Sequence, residues 1–150
     1  MKRVSSVMPP KIALIAMLAM VILHITVPLA IIVPAPFSYT GAAFVAVGGA
    51  MIVWSRRVFQ AAATPIKPFT QSTALIRHGL YRRSRNPMYL GAVLLVFGVA
   101  LLLGSVTPLL VVVAFFAILQ EGFIRHEERL LEQRFGVEYR NYRRSVRRWL

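Results

Sequence analysis

The chain has 150 residues, of which 57% are hydrophobic, and its 18 lysines and arginines against 5 acids give a formal net charge of +13. This apolar share exceeds that of an ordinary soluble domain and indicates a single membrane-embedded domain. The basic excess favours anionic lipid headgroups over nucleic acid as a partner, because no nucleic-acid-binding motif accompanies it.

The first predicted membrane helix covers residues 12–33, an uncharged run of about 22 residues that is about 33 Å long as a helix. Lys2 and Arg3 before it also fit the start of a cleaved signal peptide. The apolar run is longer than a typical signal core, so we expect the helix to be retained. We place His24 outside any site, since a hydrogen bond to neighbouring backbone explains an intramembrane histidine equally well.

The second predicted membrane helix covers residues 37–54 and is rich in alanine and glycine between residues 42 and 50. Small residues let helix backbones approach closely in lipid. We therefore expect this helix to pack against the first one, or to form a homodimer through residues 42–50. Trp54, followed by Arg56 and Arg57, is typical of an anchor at the membrane interface.

A polar, arginine-rich segment follows, and within it we expect residues 64–87 to form a loop that carries the site. The next apolar block is too long for one membrane helix and is interrupted by Gly104 and Pro108, so we predict a helical hairpin with spans at 88–103 and 106–120. Residues 121–150 read as an amphipathic helix that ends at Gly136, followed by a basic helix or arm.

The charges support a four-helix topology. All 18 basic residues fall in segments 1–11, 55–86 and 120–150, which share one side of the membrane in this arrangement, and the two remaining turns carry none. By the positive-inside rule both termini are cytoplasmic. We thus expect an all-α, multi-pass bundle in a bacterial-type inner membrane.

Two polar stretches should meet on the cytoplasmic side. A short hairpin brings its ends together, so the segment around Asn86 to Tyr89 should face Glu127 and Glu128. Adjacent glutamates point about 100° apart on a helix. We expect one of them to face a ligand cation while the other pairs with Arg125 or Arg129. The plainer alternative is that both are solvated and that only surface pairs such as Glu121 with Arg125 form.

Four sequence runs carry a resemblance. Leu75 to Tyr81, Ser84 to Gly91, Glu127 to Leu131 and Phe135 to Tyr142 occur in the order and at the intervals of the isoprenylcysteine carboxyl methyltransferases and the related phospholipid methyltransferases. The chain resembles this family over about its last half. The resemblance implies a small helical membrane bundle that binds S-adenosylmethionine at its cytosolic end, enclosed by the last hairpin and the C-terminal segment. It also implies a set of cofactor-binding residues, namely Leu75, Ile76, Tyr81, Arg85, Asn86, Pro87, Tyr89, Glu127 and Glu128.

The sequence departs from the family pattern at two positions. Asn86 stands where the isoprenylcysteine enzymes have histidine, and an amide hydrogen-bonds but does not titrate. Phe123 stands one turn before the glutamates, where the family has arginine. Arg125 is then the nearest substitute, and we expect Arg125 and Glu127 to act as catalytic residues.

The chemistry of methyl transfer suits these residues. A glutamate fits the ammonium of S-adenosylmethionine, an arginine its carboxylate and an aromatic wall its adenine. In-line transfer to a lipidic carboxylate or amine depends on positioning more than on an acid–base pair. The chain has no cysteine and its three histidines lack metal-ligand spacing, so we expect no metal. The alternatives are a non-enzymatic transporter or scaffold subunit and a reductase that uses NADPH.

Overall fold

A computed structural model describes residues 8–65 and 73–150, and the regular structure of these residues is helical. This confirms the predicted all-α fold. Residues 1–7 and part of the predicted 64–87 loop lie outside the described residues. The α-helices are α1 (Pro9–Thr26), α2 (Thr40–Ala61), α3 (Pro87–Leu103), α4 (Val106–Leu119) and α5 (Arg125–Ser145).

Three described helices are long and apolar enough to cross a membrane: Pro9–Thr26, Phe37–Ala61 and Val106–Ser145, the last comprising α4 and α5. The 17-residue α3 is shorter but also strongly apolar. Within the bundle α3 packs against α2, and α1 packs against α4 and α3. Met20, Val96, Phe115 and Leu119 form the buried core between these helices. The protein is therefore a helical membrane protein.

The helix α1 ends at Thr26, seven residues before the predicted end of the first span at Val33. Proline at position 28 clashes with a helical carbonyl and pushes the preceding residue out of the α region, so the helix cannot continue. The apolar residues beyond it are irregular, with Leu29 at φ +57°, and they lead to the α3–α4 turn. There the backbone N–H groups of Ile32 and Val33 donate to the carbonyl of Gly104 at 2.9 and 3.0 Å. The prediction of a helix through Val33 is therefore wrong, and Val27, Leu29, Ile31 and Ile32 are exposed on the bundle.

The helix α2 packs closely and antiparallel on α3 through two pairs of glycines. Gly41 lies against Gly98 and Gly48 against Gly91. A Cβ atom on Gly48 would lie 2.5 Å from the Gly91 carbonyl oxygen, so only glycine allows this approach. The small residues of α2 thus contact α3, neither the first helix nor, through these glycines, a second copy. Its alanines at positions 42, 43, 46 and 50 are exposed.

The hairpin helices α3 and α4 lie within one residue of the predicted spans. Gly104 adopts φ +73° at the C-terminus of α3, a left-handed conformation that allows the sharp turn into α4. At its other end α4 continues through a π-helical turn at Gln120–Ile124 into α5. Such turns insert an extra residue and rotate the side chains that follow. Gly136 interrupts α5 with φ +52° and ψ −117°, at the position where the sequence predicted the helix to end.

Candidate functional site

Five of the predicted site residues lie together at the end of the hairpin where α3 begins and α4 ends, namely Arg85, Asn86, Tyr89, Glu127 and Glu128. A 3₁₀ turn at Gly79–Arg82 leads into α3. Gly79 adopts φ +59° and the ring of Trp54 lies directly over it, leaving no room for a side chain. Tyr81 is buried between Trp54, with ring centroids 6.2 Å apart, and Phe59, at 5.9 Å. Aromatic residues of α2 therefore fix the turn that precedes the site.

The C-terminal half of α5 holds the same turn from the other side. The Tyr142 hydroxyl donates a 2.7 Å hydrogen bond to the backbone carbonyl of Tyr81. Burial raises the pKa of Tyr142 to about 12, so the phenol stays protonated and remains a donor at physiological pH. The Gly79–Arg82 turn is thus held by α2 on one side and by α5 on the other.

The first turn of α3 contacts the first turn of α5 through Tyr89 and Glu127. The Tyr89 hydroxyl donates to Glu127 Oε1 at 2.7 Å. Burial raises the pKa of Glu127 to about 7, and the hydrogen bond from Tyr89 opposes this shift. Among the described residues, no arginine or lysine forms an ion pair with Glu127. This carboxylate titrates near neutral pH and its charge is left uncompensated.

Glu128 has the opposite environment. It is 7% exposed and lies between two guanidinium groups, Arg85 at 3.2 Å and Arg148 at 2.7 and 3.1 Å. Arg85 is itself buried, and its Nη1 also lies 3.4 Å from the hydroxyl of Tyr139. The prediction that one glutamate pairs with Arg125 or Arg129 is wrong in its partners: Glu128 pairs across the fold, with the loop and the C-terminus.

The last five residues, Val146–Leu150, fold back across the site, and we call them the C-terminal strap. The Arg147 carbonyl accepts a 2.9 Å hydrogen bond from the backbone N–H of Arg85. The Arg148 carbonyl accepts from Ser84 Oγ at 3.3 Å and from Asn86 Nδ2 at 3.2 Å. Sequence reasoning placed these residues in an undefined basic arm, although a tryptophan directly after two arginines was a signal for an anchored segment.

The strap also reaches the end of α4. Trp149 Nε1 donates to Gln120 Oε1 at 2.9 Å, and the Trp149 ring packs on Phe116 with centroids 4.8 Å apart. The strap therefore joins the segment before α3 to the last turns of α4, across the mouth of the hairpin.

The remaining predicted residues are placed as follows. Ile76 is buried and Leu75 half-buried in the irregular segment before the turn, and Pro87 is buried at the first position of α3. Arg125 is exposed and pairs with Glu121 at 2.6 Å, the surface pair that the plainer alternative named, but the burial of Glu128 contradicts that alternative's two solvated glutamates. The structure does not bring Arg125 to the cluster formed by Arg85, Asn86, Tyr89, Glu127 and Glu128.

The cluster offers a carboxylate, Glu127, that no cation among the described residues pairs with, and the buried guanidinium of Arg85. Arg85 Nε is buried and has no hydrogen-bond acceptor among the described residues. Within the described ranges, no group of three or more histidine, cysteine or acidic side chains is arranged to hold a metal ion. The arrangement suits a ligand that carries both a cationic and an anionic group.

Comparison with known proteins agrees with the order of these elements. The sequence model of the phospholipid methyltransferase family matches residues 37–138. A protein of Haemophilus influenzae described as uncharacterized is 41% identical over 63 residues, which are 42% of this chain and 100% of that protein. No solved structure matches the chain significantly.

Proposed function

Because this chain belongs to the phospholipid methyltransferase family, we propose that it is an S-adenosylmethionine-dependent methyltransferase acting on a membrane-embedded lipidic acceptor. The family match covers α2, α3, α4 and α5 as far as Glu138, and it includes every predicted site residue. The single observation that carries the proposal is the uncompensated Glu127 carboxylate, held by Tyr89 beside a buried arginine at the end of an apolar bundle.

Glu127 is the residue best suited to the cofactor's ammonium group. The other four acids each pair with arginine: Glu121 with Arg125, Glu128 with Arg85 and Arg148, Glu132 with Arg143, and Glu138 with Arg77. A partly desolvated carboxylate without a counter-ion gains most from a bound cation, because the charge is then neutralised where water is scarce. Of the two predicted glutamates, Glu127 is thus available to bind a ligand, whereas Glu128 is already in ion pairs with Arg85 and Arg148.

Two further features fit the same cofactor. The orphaned Nε of Arg85 can donate to the cofactor's carboxylate without breaking the existing pair with Glu128. The half-buried rings of Trp54 and Phe59, which enclose the buried Tyr81, are of the kind that an adenine ring packs against. When bound, S-adenosylmethionine supplies an electrophilic methyl group on a sulfonium centre.

The position of the cluster favours a lipidic acceptor. Tyr89 lies in the first turn of the strongly apolar α3, so the site opens at the boundary between the bundle and its polar end. A carboxylate or an amine at the headgroup level of a lipid can reach this boundary. The protein residues then position the acceptor and exclude water, and an ionised carboxylate or a free amine is itself the nucleophile.

The orientation in the membrane follows from the charges. We place both termini in the cytoplasm of a bacterial-type cell, with anionic lipid phosphates at the arginine-rich surface. A shallow cleft of ≈390 Å³ lies there, lined by Arg77, Arg82 and residues at the C-terminal end of α5, namely Asn141, Tyr142, Ser145 and the following Val146. The transporter or scaffold reading and the NADPH-reductase reading gain no support from the family match.

Calorimetric titration of the purified protein in lipid nanodiscs tests the cofactor. We expect saturable binding of S-adenosylmethionine, loss of at least about tenfold in affinity for Glu127→Gln, and no change for Glu132→Gln, whose carboxylate is in an exposed ion pair. Saturable binding of NADPH in place of S-adenosylmethionine would favour the reductase. Absence of binding by either molecule would leave only the non-enzymatic reading.

A further inference from the structure

The C-terminal strap contacts several predicted cofactor-binding residues at once. Its backbone accepts hydrogen bonds from Arg85 and Asn86, and the side chain of Arg148 binds Glu128 through two nitrogens. Arg148 is thus engaged through both its carbonyl and its guanidinium. Neither contact was anticipated from the sequence, and no element other than the strap holds the Asn86 amide among the described residues.

We propose that Arg148 is a positioning residue that latches the C-terminal strap onto Glu128, across the mouth of the α3–α4 hairpin, and orients Asn86 for cofactor binding. This inference rests on the proposed function. It assigns to the strap a role that the matched family region, residues 37–138, does not contain.

The orientation of Asn86 follows from its hydrogen bonds. Its side-chain Nδ2 donates to the Arg148 carbonyl, and its backbone N–H donates to Ser84 Oγ. The side-chain oxygen Oδ1 therefore remains as the acceptor that Asn86 presents to a ligand. With the strap in place, Asn86 recognises a hydrogen-bond donor such as a hydroxyl or an exocyclic amino group.

The charge balance around Glu128 explains why the latch needs Arg148. Arg85 alone neutralises the buried carboxylate, but it forms a single contact at 3.2 Å, whereas Arg148 forms two contacts in a bidentate arrangement. A bidentate guanidinium pair fixes orientation as well as charge. Lysine at position 148 keeps the charge and loses the second contact, so it should latch the strap only in part.

Trp149 provides a readout of the strap that does not depend on activity. The chain has two tryptophans, so in a Trp54→Phe background the emission reports on Trp149 alone. When the strap is latched, the indole packs on Phe116 and donates to Gln120. Release into solvent shifts the emission to longer wavelength and makes it accessible to a soluble quencher.

The test compares Arg148→Ala, Arg148→Lys and the control Arg144→Ala, which replaces an exposed arginine of the same region. Fluorescence is read in the Trp54→Phe background, and S-adenosylmethionine affinity is measured by calorimetry with the native Trp54. We expect red-shifted, quenchable emission and about tenfold weaker binding for Arg148→Ala, the effect of one lost charge-assisted contact. Arg148→Lys should be intermediate and Arg144→Ala unchanged.

Two results would overturn the inference: unchanged Trp149 emission in Arg148→Ala, or a released strap with unchanged cofactor affinity. A wild-type protein that fails to bind S-adenosylmethionine contradicts the proposed function instead, and the fluorescence still decides whether Arg148 holds the strap. Gel-filtration elution and helical circular dichroism of each variant establish that it is folded.

Discussion

The Tyr89 hydroxyl donates a 2.7 Å hydrogen bond to Glu127 Oε1, and this bond joins the first turn of α3 to the first turn of α5. Glu127 and its neighbour Glu128 therefore have different tasks. Glu128 is buried in a pair with two arginines and holds the fold, while Glu127 keeps a charge that a ligand can use.

The first prediction concerns pH and cofactor affinity. The pKa of Glu127 is about 7, so its carboxylate is mostly protonated at pH 5.5 and mostly charged above neutrality. Affinity for a cationic ligand should rise between pH 5.5 and 7.5. In Tyr89→Phe the hydrogen bond that lowers this pKa is lost, so the rise should move to higher pH. Calorimetric affinity that is flat across this range in both proteins would rule out Glu127 as the ammonium contact.

The same shift predicts a dependence of stability on pH. The folded pKa of Glu127 is raised above its ordinary value of 4.5, so the folded protein binds more protons than the unfolded chain between these two values. The contribution of Glu127 to stability is thus full below about pH 4.5 and is lost as pH rises towards 7. Glu127→Gln should raise the melting temperature at pH 8 by a few degrees, and little at pH 5.

The second prediction concerns the buried ion triad. Glu128→Gln leaves Arg85 and Arg148 without their counter-ion and should destabilise the protein by about 3–5 kcal/mol. The matched control Glu132→Gln breaks the more exposed pair with Arg143 at 3.4 Å and should cost less than about 1 kcal/mol. Thermal unfolding in one detergent compares the two variants. Equal melting temperatures would mean that the triad does not hold the fold.

The third prediction concerns the contact between α2 and α3. Gly48→Ala places a Cβ within 2.5 Å of the Gly91 carbonyl and forces the helices apart, which should destabilise the bundle by about 1–3 kcal/mol. Gly49→Ala is the matched control, because no atom lies within 4 Å of the added Cβ. In a helix, alanine is intrinsically better than glycine, so this control should be neutral or slightly stabilising.

The fourth prediction concerns orientation in the membrane. The chain has no cysteine, so single cysteines can be introduced without interference. A cysteine at the exposed Tyr39 should react with an impermeant maleimide added to intact cells, whereas one at the exposed Arg140 should react only after permeabilisation. The reversed pattern would invert the proposed topology.

Local sequence signals predicted much of this architecture. Gly104 and the charge-free turn around it predicted the hairpin, and Gly136 predicted the interruption of α5. Both predictions succeeded because glycine readily adopts the positive φ angles that these two positions require. The meeting of the loop with the glutamate helix followed from the shortness of that hairpin. The predicted family is confirmed by the match over residues 37–138.

The sequence did not predict the contacts between residues that are far apart in the chain. The stretch from Val27 to Val33 is as apolar as a membrane helix, but it is irregular, and the N–H groups of Ile32 and Val33 bond to the Gly104 carbonyl instead. Arg148, one of the two partners of Glu128, is 20 residues away in the strap. Because the chain has many more arginines than acids, no spacing rule selects Arg148 from among them. Contacts of this kind depend on how the chain folds back, which composition and periodicity do not encode.

The most direct test of the central claim is transfer of a labelled methyl group. The purified protein in vesicles of total bacterial lipid extract is incubated with S-[methyl-³H]adenosylmethionine, and label is measured in the extracted lipid fraction. We predict label with the wild-type protein and with Glu132→Gln, and its loss with Glu127→Gln. Saturable cofactor binding without any label in the lipid fraction would contradict a lipidic acceptor, and label that persists in Glu127→Gln would contradict the role assigned to Glu127.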